Sequence, residues 1–327
     1  MGENSIISVA EFIQKTQEKW ESWDKPNTVW FRGESDKPGR DGEDEEEPLK
    51  LCPRVSRHDS SQENYLVQSF RRKAGGLANM PPFERTDLWL FRAQHYNVPT
   101  RLLDWSEGAL FALFFAINEK RDNPRVYMLN PYRLNALACD ELLELQNTDE
   151  RSFIKILSIE PKNRDDRKTF VRPVRKAIMN LQKLKQETCN FPLAWKGQGK
   201  PAMGYVNIAP AWEERGEESG RTGIETPIAI PATYQDTRMI AQRSCFTVHG
   251  SRLEPMMDIV TDRLKDNPEY CLKEFLIDAN ARKALLGELS MLGITYASVF
   301  PDLDRLGFDL EAEVDRMGKN GDDNGDT

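Results

Sequence analysis

Between His95 and Ser106 the chain sets His, Tyr, Thr, Arg, Asp, Trp and Ser within twelve residues, then enters Ala109–Ile117, nine apolar residues in succession. Imidazole and carboxylate groups can move protons. A guanidinium is a planar fork for phosphate or carboxylate oxygens, and indole and phenol rings can stack on a ligand. Polar groups directly before a segment that must be buried have the build of a site held on a rigid core. Trp30–Glu34 (WFRGE) has the same character. There Arg32 is a candidate anion contact, and Gly33 lets a backbone come close. Each residue also has a structural reading: Arg32 with Asp104 as a buried ion pair, Arg101 with Asp104 as a turn pair, His95 and Trp105 as core, Gln242 as a partner for strand-end backbone. Those readings explain the residues singly, and less well why so many polar side chains flank one buried helix.

These groups need elements to hold them. Ser8-Val-Ala-Glu11 reads as a capping box, and Val9, Phe12, Ile13, Thr16, Trp20 and Trp23 follow near helical spacing, which predicts a helix over about Ser8–Trp23. Thr28–Arg32 is rich in β-branched and aromatic residues and predicts a strand ending at Gly33. Ser60 opens a second helix stopped by Gly75-Gly76, and another spans about Glu84–Tyr96. Thr100–Trp105 alternates and reads as a short strand. Ser106 is placed to cap Ala109–Ile117, which has no polar face and is expected to be buried all round. Arg125–Leu129 is the next strand. Further strands are expected at Ile228–Ala232, Met239–Val248, Leu272–Ile277 and Ile294–Phe300, with an amphipathic helix over Asn280–Leu292 capped by Asn280.

Composition sets the limits. The 327 residues are 39% apolar and 30% charged, with no apolar run near membrane-spanning length, so no membrane span is expected. No basic region precedes an apolar stretch at the start, so a signal peptide is not expected either. Five scattered cysteines without a CxxC pair, and only three histidines, argue against a disulfide framework or a metal site and favour a cytoplasmic location. A net charge of −8 is wrong for general duplex-DNA binding. Asp36–Pro48 and Gly197–Gly223 read as loops. Residues 133–223 read as a polar helical insertion, in which a basic run over 167–185 is either a solvated face or an edge for RNA or a partner. The tail from 311 to 327 is expected to be disordered and acidic.

Four stretches resemble the FRG domain family, named for its Phe-Arg-Gly motif. They are Trp30-Phe31-Arg32-Gly33; Gln94-His95-Tyr96 with Pro99–Ser106; Ala241–Gly250; and Val299–Asp304. The resemblance covers about residues 28–310, after an N-terminal helical extension over 1–27. The family usually has Gly where this chain has Asn97, and commonly Gly where it has Ser244. The order of parts also resembles an ADP-ribosyltransferase fold, implying an α+β class with a mixed sheet core and helices packed around it.

That resemblance implies a function: an NAD-dependent ADP-ribosyltransferase, a glycosyltransferase acting on NAD, that modifies RNA or protein in a toxin or antiviral defence setting. A neutralising antitoxin partner would go with that setting. In the fold, an Arg on the first core strand holds NAD, and a late strand carries a catalytic Glu. Arg32 fits the first position, and Met239–Val248 fits the second but offers Gln242. The resemblance therefore implies catalytic roles for Arg32 and Gln242, and NAD contacts from Arg32, Gly33, His95, Tyr96, Thr100, Arg101 and Ser106, with no metal. Two alternatives stand beside it: a non-catalytic nucleotide-binding or sensing module of the same fold, and a hydrolase or nuclease using His95 and Asp104.

Overall fold

The computed structural model describes residues 5–36, 50–58, 60–77, 81–82, 86–148, 224–232, 234–250, 252–265 and 267–302, with isolated short pieces elsewhere. The basic run over 167–185 falls outside the described residues except for 178–179 and 182. So do the tail beyond 314, the Asp36–Pro48 loop after Asp36 itself, and most of Gly197–Gly223.

The elements follow in the order α1 (Val9–Ser22), β1 (Trp30–Asp36), a 3-10 turn (Arg54–Arg57), α2 (Ser60–Ala74), α3 (Thr86–His95), β2 (Leu102–Ser106), α4 (Ala109–Ile117), β3 (Asp122–Leu129) and α5 (Pro131–Thr148). After the two-residue pieces β4 (Ala194–Trp195) and β5 (Tyr205–Val206) come β6 (Ile228–Pro231), α6 (Thr237–Ala241), β7 (Ser244–Val248), α7 (Met256–Leu264), β8 (Leu272–Leu276), α8 (Arg282–Met291) and α9 (Tyr296–Val299). The protein is α+β, with an open sheet in the order β6-β7-β2-β1-β3-β8. Every neighbouring pair in that sheet is antiparallel, where a mixed sheet was expected. Among the described residues, parallel pairing is confined to the bridge from Ile6 to Ile277 and to β4 with β5.

Side-chain alternation along the strands builds the core. Phe31, Val126, Met128 and Phe275 pack on one face against α4, α1 and α8. Leu102, Phe246, Val248, Ile228 and Ile230 meet Leu90 and Phe91 of α3 and the apolar side of α5. On the opposite face Trp30, Leu103, Trp105, Tyr127 and Leu129 pack on Met256 and Val260 of α7. Helix α1 is part of this core. Ser8 Oγ accepts from Glu11 N–H at 3.2 Å to start it, and Val9 N–H donates to Glu288 of α8 at 2.7 Å. The edge strand β6 is closed by a side chain: Asn135 of α5 accepts from Ala229 N–H at 2.8 Å and donates to Ala229 C=O at 3.0 Å. The edge is thereby paired without another strand.

Three expected elements differ. The segment expected as one strand over Met239–Val248 begins as helix, because Asp236 Oδ1 accepts from Met239 N–H at 2.9 Å and starts a turn that Gln242 closes. The strand begins only at Ser244, after Arg243 has turned the chain at φ 48°. Ile294–Phe300, expected as a strand, carries helix α9 instead. Thr295 and Ser298 form a capping box there, and Asp309 accepts from Thr295 Oγ1, Tyr296 N–H and Ala297 N–H at 2.6, 3.0 and 2.8 Å. Asn280 does not cap α8, which starts after Ala281 with no side-chain cap; Asp278 caps the 3-10 turn Ala279–Ala281 before it, accepting from Asn280 N–H at 2.8 Å.

Candidate functional site

Strands β1 and β2 lie side by side at the centre of the sheet, yet they pair at one register position, Phe31 with Ser106. Arg32 lies just past that pair. Its Nε donates to Glu34 Oε1 and its Nη1 to the main-chain oxygen of Asp104, both at 2.7 Å. Glu34 is fixed in turn by accepting from Leu51 N–H at 3.1 Å. The guanidinium thus bridges two strands that the backbone has stopped joining. Nη2 has no hydrogen-bond partner among the described residues.

Beside this opening is a cavity of about 390 Å³. Phe31, Ser106, Ser244 and Phe246 of the sheet line it, as do Phe91, Gln94 and His95 of α3. Phe115 of α4 and the turn after it, Arg238 and Met239 of α6, and Phe300 complete the wall. Four guanidinium groups line it (Arg32, Arg54, Arg121 and Arg238) against two carboxylates, Asp104 and Glu119. In a chain of net charge −8 the cavity therefore carries a local positive excess, suited to an anionic ligand. The arginines are held differently. Arg121 pairs with Glu119, Arg54 donates to Asn97 C=O at 3.0 Å, and Arg238 lies over the Phe300 ring at 4.8 Å. Asp104 Oδ2 accepts from Gln94 Nε2 at 2.6 Å.

The supports come from far along the chain. The last carbonyls of α4 and its following turn accept from Arg282: Ile117 C=O at 2.7 Å and Asn118 C=O at 2.7 Å. Tyr296 Oη donates to the same Asn118 oxygen at 2.8 Å. These fix the lip carrying Asn118, Glu119 and Arg121. Cations and donors at a helix C-terminus are favourable there, and Arg282 takes that role. Burial holds the His95 imidazole below its ordinary value, with Arg238 and Arg92 pushing the same way and Asp236 and Asp104 opposing.

The candidate residues divide. Arg32, Gly33, His95, Ser106 and Gln242 line the cavity. Tyr96, Thr100 and Arg101 do not. Tyr96 turns outward, its ring edge-on to His95 and tilted against Phe70. Thr100 is fully buried and donates to Gln94 Oε1 at 2.6 Å, which orients the same Gln94 that holds Asp104. Arg101 is fully buried, its Nη1 donating to the main-chain oxygens of His249 and Gly250 at 3.1 and 2.7 Å. The last two are internal braces. Gly33 is small for a helix as well as for a cavity: a Cβ there would stand 1.9 Å from Ala112 O and 2.6 Å from Ala116 N of α4. Ser106 accepts from Gly108 N–H at 3.0 Å, but Gly108 is the cap residue of α4. Ser106 Oγ itself donates to Gln242 C=O at 2.6 Å. Gln242 Nε2 donates to Val299 C=O at 3.1 Å, joining α6 to α9. Asn97, at φ 60°, takes the left-handed conformation for which its place in a glycine position called.

Sequence reading missed Arg54, Glu119, Arg121, Arg238 and Asp236 as parts of this site. Only Asp236 left a signal, as an Asp three residues before Met239 and so a helix cap.

Fold and cavity together define an α+β protein with an arginine-lined cavity beside an opening in its central sheet. Residues 27–125 match the family model of the FRG domain. The match takes in β1, α3, β2 and α4, while Arg238, Gln242, Phe246 and Phe300 of the cavity lie beyond it. No curated protein and no solved structure matches the chain. Among the described residues no helix is long and apolar enough to cross a membrane.

Proposed function

We propose that the protein is an NAD-dependent ADP-ribosyltransferase that modifies a macromolecule, RNA or protein. The observation that carries this reading is Arg32, tethered to Glu34 and to the Asp104 carbonyl with Nη2 left over, at the edge of a cavity with three further guanidinium groups. A dinucleotide joined by a pyrophosphate is a ligand such a cavity suits, since planar forks match phosphate oxygens. Phe115 and Phe300 put aromatic surface on the cavity wall for a base or for nicotinamide. The order of parts, with Arg32 on a central strand, β2 leading into the buried helix α4 and β7 beside them, supports an ADP-ribosyltransferase-like fold.

Cleavage of the nicotinamide–ribose bond passes through an oxocarbenium-like transition state, and nicotinamide departs neutral from a cation. A carboxylate near the developing positive charge lowers the barrier. Strand β7 reads Ser-Cys-Phe-Thr-Val and has no acid. Asp104, which lines the cavity from β2, supplies the charge that Gln242 lacks. Gln242, a cavity wall residue bonded to Val299, retains its Oε1 for a ribose hydroxyl. In a toxin or antiviral defence setting such an enzyme would be paired with a neutralising partner.

The missing acid on β7 is also what favours the second reading, a nucleotide-binding module without chemistry. Incubating the pure protein with NAD labelled in the adenine part, with RNA, DNA or lysate protein in separate tubes, separates the two. Label transfer with release of nicotinamide is the expected result. Binding of NAD with no nicotinamide released in any tube leaves the sensing module, and failure to bind NAD removes the transferase reading.

A further inference from the structure

His95 ends α3 on the cavity wall, and its Nδ1 stands 3.3 Å from Oδ2 of Asp236. The two oxygens of that carboxylate have separate duties. Oδ1 caps α6 by accepting from Met239 N–H at 2.9 Å. Oδ2 is buried and accepts no hydrogen bond from the described residues. A buried charged oxygen in that state is costly, and a proton on Nδ1 is placed to relieve it after a small ring rotation. With Nδ1 so engaged, the lone pair of a neutral imidazole falls on Nε2, which has no hydrogen-bond partner among the described residues.

Resting on the transfer reading above, we propose that His95 is the general base that takes the proton from the acceptor nucleophile, with Asp236 as its positioning residue. The acceptor O–H or N–H gives its proton to Nε2 as its lone pair bonds to ribose C1′. The bond from C1′ to the nicotinamide nitrogen breaks, and its electron pair goes to the ring, which leaves neutral. Nothing is oxidised or reduced. The imidazolium that results faces Asp236 and returns its proton to solvent before the next turnover.

The other carboxylates of the cavity have different tasks: Asp104 accepts from Gln94 and, in the transfer reading, faces the developing positive charge, and Glu119 pairs with Arg121. The charged groups around the ring are Asp236 and Arg238 of α6, Arg92 of α3 and Asp104 of β2. Burial and the two arginines keep the ring neutral near pH 7, the form a base requires.

Two variants test the assignment. His95→Ala removes the base. Asp236→Asn removes only the charge, because Asn can still accept from Met239 N–H and is a favoured cap. The measurements are NAD affinity by calorimetry and nicotinamide release across pH. His95→Ala is expected to bind NAD as the unaltered protein does, to lose about 10²–10⁴ in rate, and to regain part of it with added imidazole. Asp236→Asn is expected to keep a cooperative thermal transition, turn over more slowly, and show its acidic limb at lower pH, since the carboxylate no longer raises the ring. Loss of NAD affinity in His95→Ala without imidazole rescue makes His95 a ligand contact and overturns the assignment. An unchanged rate in that variant also overturns it while leaving the transfer reading standing. An unchanged pH profile in Asp236→Asn removes Asp236 from its role. Unaltered protein that binds NAD but never releases nicotinamide overturns the transfer reading and the base assignment together.

Discussion

Arg32 meets Asp104 through the main chain: its Nη1 donates to the Asp104 carbonyl at 2.7 Å, and the Asp104 carboxylate bonds instead to Gln94. The two residues are therefore joined without neutralising one another. Arg32 draws its counter-charge from Glu34 on its own strand. A guanidinium and a carboxylate thus line the same cavity, each able to meet a different part of a ligand.

Asp104→Asn separates charge from scaffold. The carbonyl that holds Arg32 is untouched, and Asn can still accept from Gln94. Nicotinamide release is expected to fall about 10²–10³-fold, the usual cost of removing one well-placed electrostatic stabiliser, with NAD affinity little changed. Steady-state kinetics of nicotinamide release beside calorimetric NAD binding checks this. A fall in affinity with no change in turnover would make Asp104 a binding group.

Gly33→Ala addresses the fold that holds the site. The added methyl would meet Ala112 O at 1.9 Å and Ala116 N at 2.6 Å, both helix backbone atoms that cannot swing aside. Helix α4 must move off β1, so stability is expected to fall by about 1–3 kcal/mol or more. Urea unfolding checks it, and an unchanged midpoint would mean that α4 does not sit on Gly33. The same variant is expected to weaken NAD binding, because Phe115 and the Asn118–Arg121 lip travel with α4.

Local signals in the sequence were enough for most of the framework. Ser8 and Glu11 start α1, Gly75-Gly76 follows α2, and the alternation from Leu102 to Trp105 is a strand. The apolar run Ala109–Ile117 is helix α4 to the residue, although Ala109, Leu110, Phe111 and Phe115 are only partly buried. Where reading failed, a cap outweighed β-propensity. Ile294–Phe300 is rich in strand formers, yet Thr295, Ser298 and Asp309 make a helix start of it. Asp236 does the same for the segment before Ser244. In the site, Arg32 and His95 stood out because their motifs are compact. Arg282 and Tyr296 could not, since Asn118, whose carbonyl they both reach, is 164 and 178 positions away. Arg101 looked like a ligand contact because a buried arginine braced by the main chain of His249 and Gly250 carries no local signature.

His249 gives the acid behaviour a named source. It is fully buried, and neither ring nitrogen has a hydrogen-bond partner among the described residues. Burial first, then the nearby positive charges of Arg101 and Arg32, push its pKa down to about 3. In the unfolded chain it returns to about 6.5. The unfolded state therefore binds the extra proton between these two values. The contribution of His249 is fully present above the unfolded pKa and is lost as pH falls through that window toward the folded value. Its slope is about 1.4 kcal/mol per pH unit well inside the window. His249→Leu fills similar space without a titrating group, and removing two unbonded nitrogens from the core costs little at pH 7.5. Denaturant unfolding of both proteins from pH 7.5 to pH 4 is expected to show a shallower loss for the variant, so that its stability overtakes that of the unaltered chain as the medium becomes acidic. Parallel curves across the whole range would show that His249 takes no part in acid unfolding.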